Sequence, residues 1–245
     1  MRVATVDVWR VPLNQGWDEE GRLWDCLHPD ERARASRFHF RRDRDRFVAS
    51  RGSLRHILAR YLGQPPERVR LGYTSAGKPI IRDHPDLHFN LSHSADLALL
   101  GVSHGGPLGV DIEEIHSDAL VDSTSGLVLS YPENDELRQL SGQSRCERFA
   151  RFWTRKEAYI KADGRGMQLQ LDRIDVATSP DRVRIREQGS NRWMSCPRWT
   201  LRPIPVDPGY AAAVAAEGSD WRLVPFSWAG ACPSGEAPTP GFHRR

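Results

Sequence analysis

A segment from about Glu147 to Asp163 carries an ammonium group in the middle of a hydrophobic arc, and any fold of this chain has to accommodate it. At about 100° per residue, Phe149, Phe152, Trp153, Tyr159 and Ile160 line one side of a helix that Gly164 and Gly166 bring to an end. Lys156 projects into the centre of that side. A buried ammonium is costly unless paired, so Lys156 either snorkels to solvent or meets a buried anion. The residue type sharpens the point. Of 35 basic residues only three are lysine, namely Lys78, Lys156 and Lys161, and the rest are arginine. Where arginine is the generic positive charge, a retained lysine is expected to mark a place that needs a compact, tunable point charge and not a planar fork.

At 245 residues the chain is long enough for a sizeable core in one domain or two small ones. Its 39% hydrophobic and 27% charged residues are ordinary for a soluble globular protein. No apolar run approaches the roughly 18 residues needed to span a bilayer. The start, Met1 to Arg10, alternates like a strand and lacks the apolar segment and cleavage site of a signal peptide. Cys26, Cys146, Cys196 and Cys232 are scattered with no CxxC pair, which points away from a disulfide framework or a zinc knuckle. A reducing cytoplasm is the expected setting. A net charge of +3 is too small to define a partner.

Residues 1–12 read as a strand. Pro29 and Asp30 signal a helical region running to about Tyr61, closed by Gly63 and Pro65-Pro66. Between Glu31 and Arg60 it holds ten arginines against three acidic residues, while Phe47, Leu54, Ile57, Leu58 and Tyr61 recur at helical spacing. One face is therefore core and another basic. Strands are predicted at Val69–Tyr73, Leu87–Leu91, Leu97–Val102 and, after the Gly105-Gly106-Pro107 turn, Leu108–Ile112. Residues 116–146 are polar and give no assignment. Further strands fall at Val183–Arg186 and, beyond Asp207-Pro208-Gly209, at Tyr210–Ala216. The Gly- and Pro-rich tail of residues 230–245 reads as disordered. Helices and antiparallel-capable strands occur in each half, with a change near residues 105–117, and no sequence repeat is evident.

In Gly109-Val110-Asp111-Ile112-Glu113, strand alternation puts Asp111 and Glu113 on one face. Two carboxylates so placed are favourable only in open water or around a cation. Mg²⁺ suits them, since its sites often combine one or two carboxylates with phosphate oxygens and water. A plain acidic outer face is the competing reading, because such a short motif is common. On the helix, Glu157 and Lys161 stand at the edge of the apolar arc as an i,i+4 pair worth about 0.2–0.5 kcal/mol as a surface contact. Asp111, Glu113 and Glu157 with the two helix lysines are also the parts of a metal–phosphate site. His93 sits where a strand gives way to a turn, beside Ser92, and reads either as a turn residue or as a phosphate contact. Lys78 lies in a turn. No Walker-type glycine loop, GxSxG or metal-ligand histidine spacing is present.

With these residues assembled, the chain resembles the 4′-phosphopantetheinyl transferases, in the longer, pseudo-dimeric subclass typified by the surfactin-synthetase activator. The resemblance runs in order through Gly77-Lys78-Pro79, Phe89-Asn-Leu-Ser92-His93-Ser, Gly109-Val-Asp111-Ile-Glu113 and Phe152-Trp-Thr-Arg-Lys156-Glu157-Ala-Tyr-Ile-Lys161-Ala-Asp-Gly-Arg-Gly166. Fainter correspondences cover Pro29 to Arg46 and Val206 to Tyr210, so it spans roughly residues 28–216. It implies an α+β fold with a pseudo-two-fold duplication of two similar halves, 1–107 and 108–229, each a small antiparallel sheet with a long helix.

The resemblance also implies the chemistry. The group 4′-phosphopantetheine would pass from coenzyme A to a serine of an apo acyl or peptidyl carrier protein, with release of 3′,5′-ADP. Asp111, Glu113 and Glu157 would hold Mg²⁺ on the pyrophosphate. Lys161 would contact the phosphate bridge and protonate the leaving group, and Glu157, directly or through water, would serve as base for the carrier serine. His93, Arg34 and Arg46 would bind the 3′-phosphate end, with Lys78, Pro79 and Ser92 near the nucleotide. A cytoplasmic monomer binding neither nucleic acid nor membrane is expected. The carriers would belong to fatty-acid, polyketide or nonribosomal-peptide synthesis. Between the halves, Leu129-Ser130-Tyr131-Pro132-Glu133 departs from the family's aromatic-Ser-x-x-Glu element by placing Leu at the aromatic position, and Glu133 receives no role. Two rival readings are a nucleic-acid-binding module using the Arg-rich helix and a metal-dependent nucleotide phosphohydrolase.

Overall fold

The alternating N-terminal segment is a strand, β1 (Ala4–Pro12), in the computed structural model, which describes residues 4–15, 21–166, 169–187 and 189–230. The tail from residue 231, and Cys232 with it, lies outside the described residues. Three helices follow: α1 (Arg22–Asp25), α2 (Pro29–Ala35) and α3 (Arg41–Leu62). The single helical region expected from Pro29 to Tyr61 is thus two helices. Ser36 Oγ donates back to Arg32 O at 3.0 Å, a local bond that competes with helix continuation. Phe40 then adopts an extended conformation as the residue preceding α3. Pro29 does open α2 as predicted, and Glu31 accepts the His28 N–H at 3.0 Å.

The chain continues through β2 (Leu71–Tyr73), β3 (Pro79–Ile81), β4 (His88–Ser94), β5 (Leu97–Ser103) and β6 (Leu108–Glu114). Polar residues 116–146, unassigned from sequence, form α4 (Asp118–Val128) and α5 (Tyr131–Arg138), and α6 (Gly142–Asp163) starts five residues before the predicted Glu147. Short strands β7 (Ile174–Asp175), β8 (Arg184–Arg186) and β9 (Trp193–Ser195) make one small sheet. Then come β10 (Trp199–Pro203), β11 (Tyr210–Glu217) and β12 (Trp221–Ser227). The class is α+β, as expected.

Two compact units are distinguishable. One comprises residues 1–9, 71–95 and 99–226, and the other residues 10–70, 96–98 and 227–245. In the second unit the predicted apolar face of α3 is buried through Leu54, Ile57 and Leu58, each fully inaccessible. Its basic face is mixed, because Arg55 is itself buried and donates to Glu31 at 2.6 Å and to Val69 O at 3.0 Å. Arg41, Arg42 and Arg44 are exposed.

In the first unit β10, β11 and β6 form an antiparallel sheet in that order, with Ala213 opposite Asp111. Helix α6 lies across β6 and β11. Phe149, Phe152, Tyr159, Trp199 and Leu201 fill the core beneath it. The approach of helix to sheet depends on one glycine. A Cβ on Gly109 would stand 2.2 Å from Ala158 O and 2.5 Å from Ala162 N, so only glycine lets the α6 backbone rest on β6 at this point. The contact brings the last turns of α6 over the acidic strand. Among the described residues no helix is long and apolar enough to cross a membrane.

Candidate active site

Strand β6 alternates as predicted, with Val110 and Ile112 in the core, but its other face is not solvated: Asp111 is only 1% exposed. The reading of a plain acidic outer face therefore fails for Asp111. The covering strand is β4, which runs alongside β6 and meets it through side chains. Asn90 Oδ1 accepts the Val110 N–H at 2.8 Å, Ser92 Oγ donates to Asp111 Oδ1 at 2.8 Å, and Ser94 Oγ donates to Glu113 Oε2 at 2.9 Å. Every second residue of β4 thus serves one seam. Alternation turns His93 to the opposite face of β4, where it is exposed, so the structure does not bring it to Asp111.

Helix α6 adds Glu157 and Lys161. Lys161 Nζ lies 2.5 Å from Asp111 Oδ1 and donates to Ser92 Oγ at 3.0 Å. Ser92 accepts from the ammonium and donates to the carboxylate, which fixes all three groups. Burial pushes the Asp111 carboxyl up to about 7, against the downward pull of Lys161 and Ser92, while Glu113 adds to the rise. Glu157, half-buried, is also raised, first by burial and further by Glu113, with Lys161 opposing. The three carboxylates therefore share one electrostatic environment that includes the Lys161 ammonium. Oδ2 of Asp111 is buried without a hydrogen-bond partner.

Among the described residues no three His, Cys, Asp or Glu side chains converge into a ready-made metal site. The donor chemistry nonetheless fits a hard divalent cation. Among the described residues Oδ2 of Asp111 has no hydrogen-bond partner and Glu113 repels the Glu157 carboxylate, and Mg²⁺ sites draw the remaining ligands from phosphate and water. Beside Glu113 a mainly apolar cavity of about 240 Å³ is lined by His116, Leu120, Phe149 and Trp153.

The other lysines resolve differently. Lys156 is fully buried and meets an anion, the second of the two options its position allowed: its Nζ lies 2.5 Å from Glu133 Oε2 and donates to Val128 O at 2.7 Å and Leu171 O at 2.8 Å. Glu133, equally buried, accepts from the Ser130 N–H at 2.8 Å and the Val176 N–H at 2.9 Å. Burial lowers the lysine and raises the glutamate, and each is pulled back by the other. This is a correction: Lys156 is spent on the fold and is not one of the phosphate-facing lysines. Sequence reasoning does not pair Glu133 with it, although Ser130-x-x-Glu133 is a capping-box pattern and a buried anion is one of the two options for Lys156.

Lys78 sits in the turn between β2 and β3, its Nζ on three carbonyls, and Pro79 opens β3 opposite Tyr73. Arg34 and Arg46 belong to the second unit. There the Arg34 guanidinium lies 5.2 Å from the Phe47 ring centre, and Arg46 Nε donates to Asp96 at 2.8 Å.

Two family models match the chain, 4′-phosphopantetheinyl transferase superfamily over residues 107–215 and 4′-phosphopantetheinyl transferase, N-terminal, over residues 9–105. The 4′-phosphopantetheinyl transferase HetI of Nostoc sp. is 38% identical over 220 residues, covering 89% of this chain and 90% of that one. The chain belongs to the 4′-phosphopantetheinyl transferase superfamily. Its relatives include the transferase Sfp of Bacillus subtilis, 29% identical over 86% of this chain and 90% of that one. A holo-(acyl-carrier-protein) synthase from Bacillus anthracis, solved with CoA (3′,5′-ADP), is similar at 21% identity and a TM-score of 0.34, covering 46% of this chain and 96% of that one. Within this transferase the four sequence motifs contribute unequally. Ser92, Asp111, Glu113, Glu157 and Lys161 are drawn together in one unit, whereas His93 faces away from them.

Proposed function

We propose that this transferase moves 4′-phosphopantetheine from coenzyme A to a serine of an apo acyl or peptidyl carrier protein, with Mg²⁺, and releases 3′,5′-ADP. The observation that carries the reading is the Lys161–Asp111–Ser92 arrangement beside half-buried Glu157 and Glu113. The carrier serine oxygen bonds to the phosphorus that bears the pantetheine. The bond from that phosphorus to the bridging oxygen breaks, and the oxygen departs with 3′,5′-ADP.

Glu157 accepts the serine proton, directly or through a water, and its raised carboxyl is the better base for it. Lys161 lies at the bridging oxygen and donates to it as negative charge develops, a task for a releasable proton that arginine does not perform. Asp111, Glu113 and Glu157 are the residues that would hold Mg²⁺. When bound, the ion neutralises the pyrophosphate and polarises the attacked phosphorus. Asp111 and Ser92 orient Lys161. The apolar cavity beside Glu113 suits the non-polar part of an incoming acceptor.

For the nucleotide end, Ser92, His93 and Pro79 are the proposed contacts, with Lys78 in the adjoining turn, and Arg34 and Arg46 are proposed as phosphate contacts on the strength of the motif alone. For the proposed division into halves, 1–107 and 108–229, the boundary is supported by the two family models, which stop and start at residues 105 and 107. A cytoplasmic monomer is the proposed working form. Chromatography of the nucleotide product tests the reaction class: 3′,5′-ADP should form only when apo carrier is present. Its formation from coenzyme A alone would make the protein a phosphohydrolase instead.

A further inference from the structure

Helix α6 ends where its chemistry begins, and the last carbonyls of a helix need partners from outside it. Gly164, in the left-handed conformation, supplies one by donating its N–H to Ile160 O at 3.0 Å. The next two carbonyls are met by a side chain remote in sequence. Lys78 Nζ donates to Lys161 O at 2.6 Å and to Ala162 O at 3.4 Å. The same ammonium donates to Leu108 O at 3.0 Å, at the start of β6. One point charge thereby ties residue 161 on the helix to residue 108 on the strand. These are the two backbones that carry Lys161 and Asp111, and Gly109 is where they touch.

We propose that Lys78 is a positioning residue for the transfer reaction, holding the α6 terminus against β6 so that Lys161 Nζ stays at Asp111 and Ser92. The inference rests on the functional reading above. It departs from a direct nucleotide contact, because all three ammonium hydrogens are accounted for by three carbonyls. The positive charge also sits at the negative end of the α6 dipole, where a cation is favoured. Burial lowers the Lys78 ammonium to about 8, with Asp163 opposing, as expected for a charge placed among carbonyls and away from bulk water. Nothing in this arrangement requires Lys78 to touch substrate. Its effect on the reaction passes through the distance it sets, and displacement of a reacting group by about 1 Å can cost up to 10²-fold in rate.

The test compares wild type with Lys78→Met, which keeps the stem and removes the donors, and Lys78→Gln, which keeps two donors without the charge. Calorimetry gives the affinity for coenzyme A with Mg²⁺, and single-turnover transfer to an apo carrier gives the rate at saturating coenzyme A. Both are measured at a temperature where circular dichroism shows each variant folded. The expected result is a rate lower by at least about 10-fold in Lys78→Met, smaller loss in Lys78→Gln, and affinity within about threefold of wild type in both. Weakened affinity with an unchanged saturated rate would overturn the proposal and make the ammonium a nucleotide ligand. Unchanged values would overturn it too, as would parallel loss of both quantities, which general destabilisation produces. Wild-type protein that transfers nothing would instead remove the functional reading on which the inference stands.

Discussion

Lys161 Nζ stands 2.5 Å from Asp111 Oδ1, and the two residues come from elements that meet only because Gly109 lacks a side chain. On the proposed function the pair belongs to the reacting centre. Replacing Lys161 by Met, Glu157 by Gln or Asp111 by Asn should each lower kcat/KM for carrier modification by at least about 10²-fold, the scale of losing one preorganised electrostatic partner. Steady-state kinetics on folded variants is the check. Wild-type rates in all three would remove the site assignment.

Gly109→Ala should disrupt the same centre without changing any charged group. The added methyl would press on backbone atoms of Ala158 and Ala162, which cannot move as a flexible side chain can. A destabilisation of about 1–3 kcal/mol or more is expected, together with a fall in transfer rate as Lys161 is displaced. Chemical denaturation and activity measured side by side test this. A variant as stable and as active as wild type would contradict the close helix–strand contact.

Lys156 and Glu133 support the fold, and single changes should show it. Removing one member leaves an uncompensated buried charge, so Lys156→Met or Glu133→Gln should cost about 3–5 kcal/mol in urea unfolding. The double change Lys156→Met with Glu133→Leu should recover part of that loss, since no charge is then stranded. Equal and additive losses in the two single variants and the double would show that the residues do not act as a pair.

Much of this was legible before the fold. The place of Lys156 on the helical wheel left a buried anion as one of two outcomes, and strand alternation grouped Asp111 with Glu113. The seam that makes them a site was not legible. Ser92 and Ser94 reach β6 across some 19 residues of chain, and periodicity carries no information on such pairing. The solvated reading of Asp111 failed for the same reason, because β4 and Lys161 cover it. Helix α4 escaped notice because its apolar residues Ala119, Leu120, Val121, Leu127 and Val128 lie at its two ends around a polar stretch, and α5 because few of its residues are apolar. The break at Ser36 was hidden because helix-forming arginines flank a local hydroxyl bond that only coordinates reveal.

Asp111 also predicts a pH dependence. Its carboxyl has an ordinary value of 3.8 and is raised in the folded protein to about 7 by burial. Between these values the folded state binds more protons than the unfolded state, so this group's contribution to stability is full below about 4, falls as pH rises, and levels off above about 7. The thermal stability of metal-free wild type relative to Asp111→Asn should therefore decline across that window. A difference that stays level from pH 4 to pH 7 would contradict the buried carboxyl.

The most direct measurement is intact-mass spectrometry of a small apo carrier protein incubated with coenzyme A, Mg²⁺ and either wild-type or Lys161→Met protein. The account predicts the mass gain of one phosphopantetheine arm with wild type, its disappearance with EDTA, and almost none with the variant over the same time. Absence of any gain on carriers of fatty-acid, polyketide and nonribosomal-peptide type, or equal gain with and without the Lys161 ammonium, would contradict it.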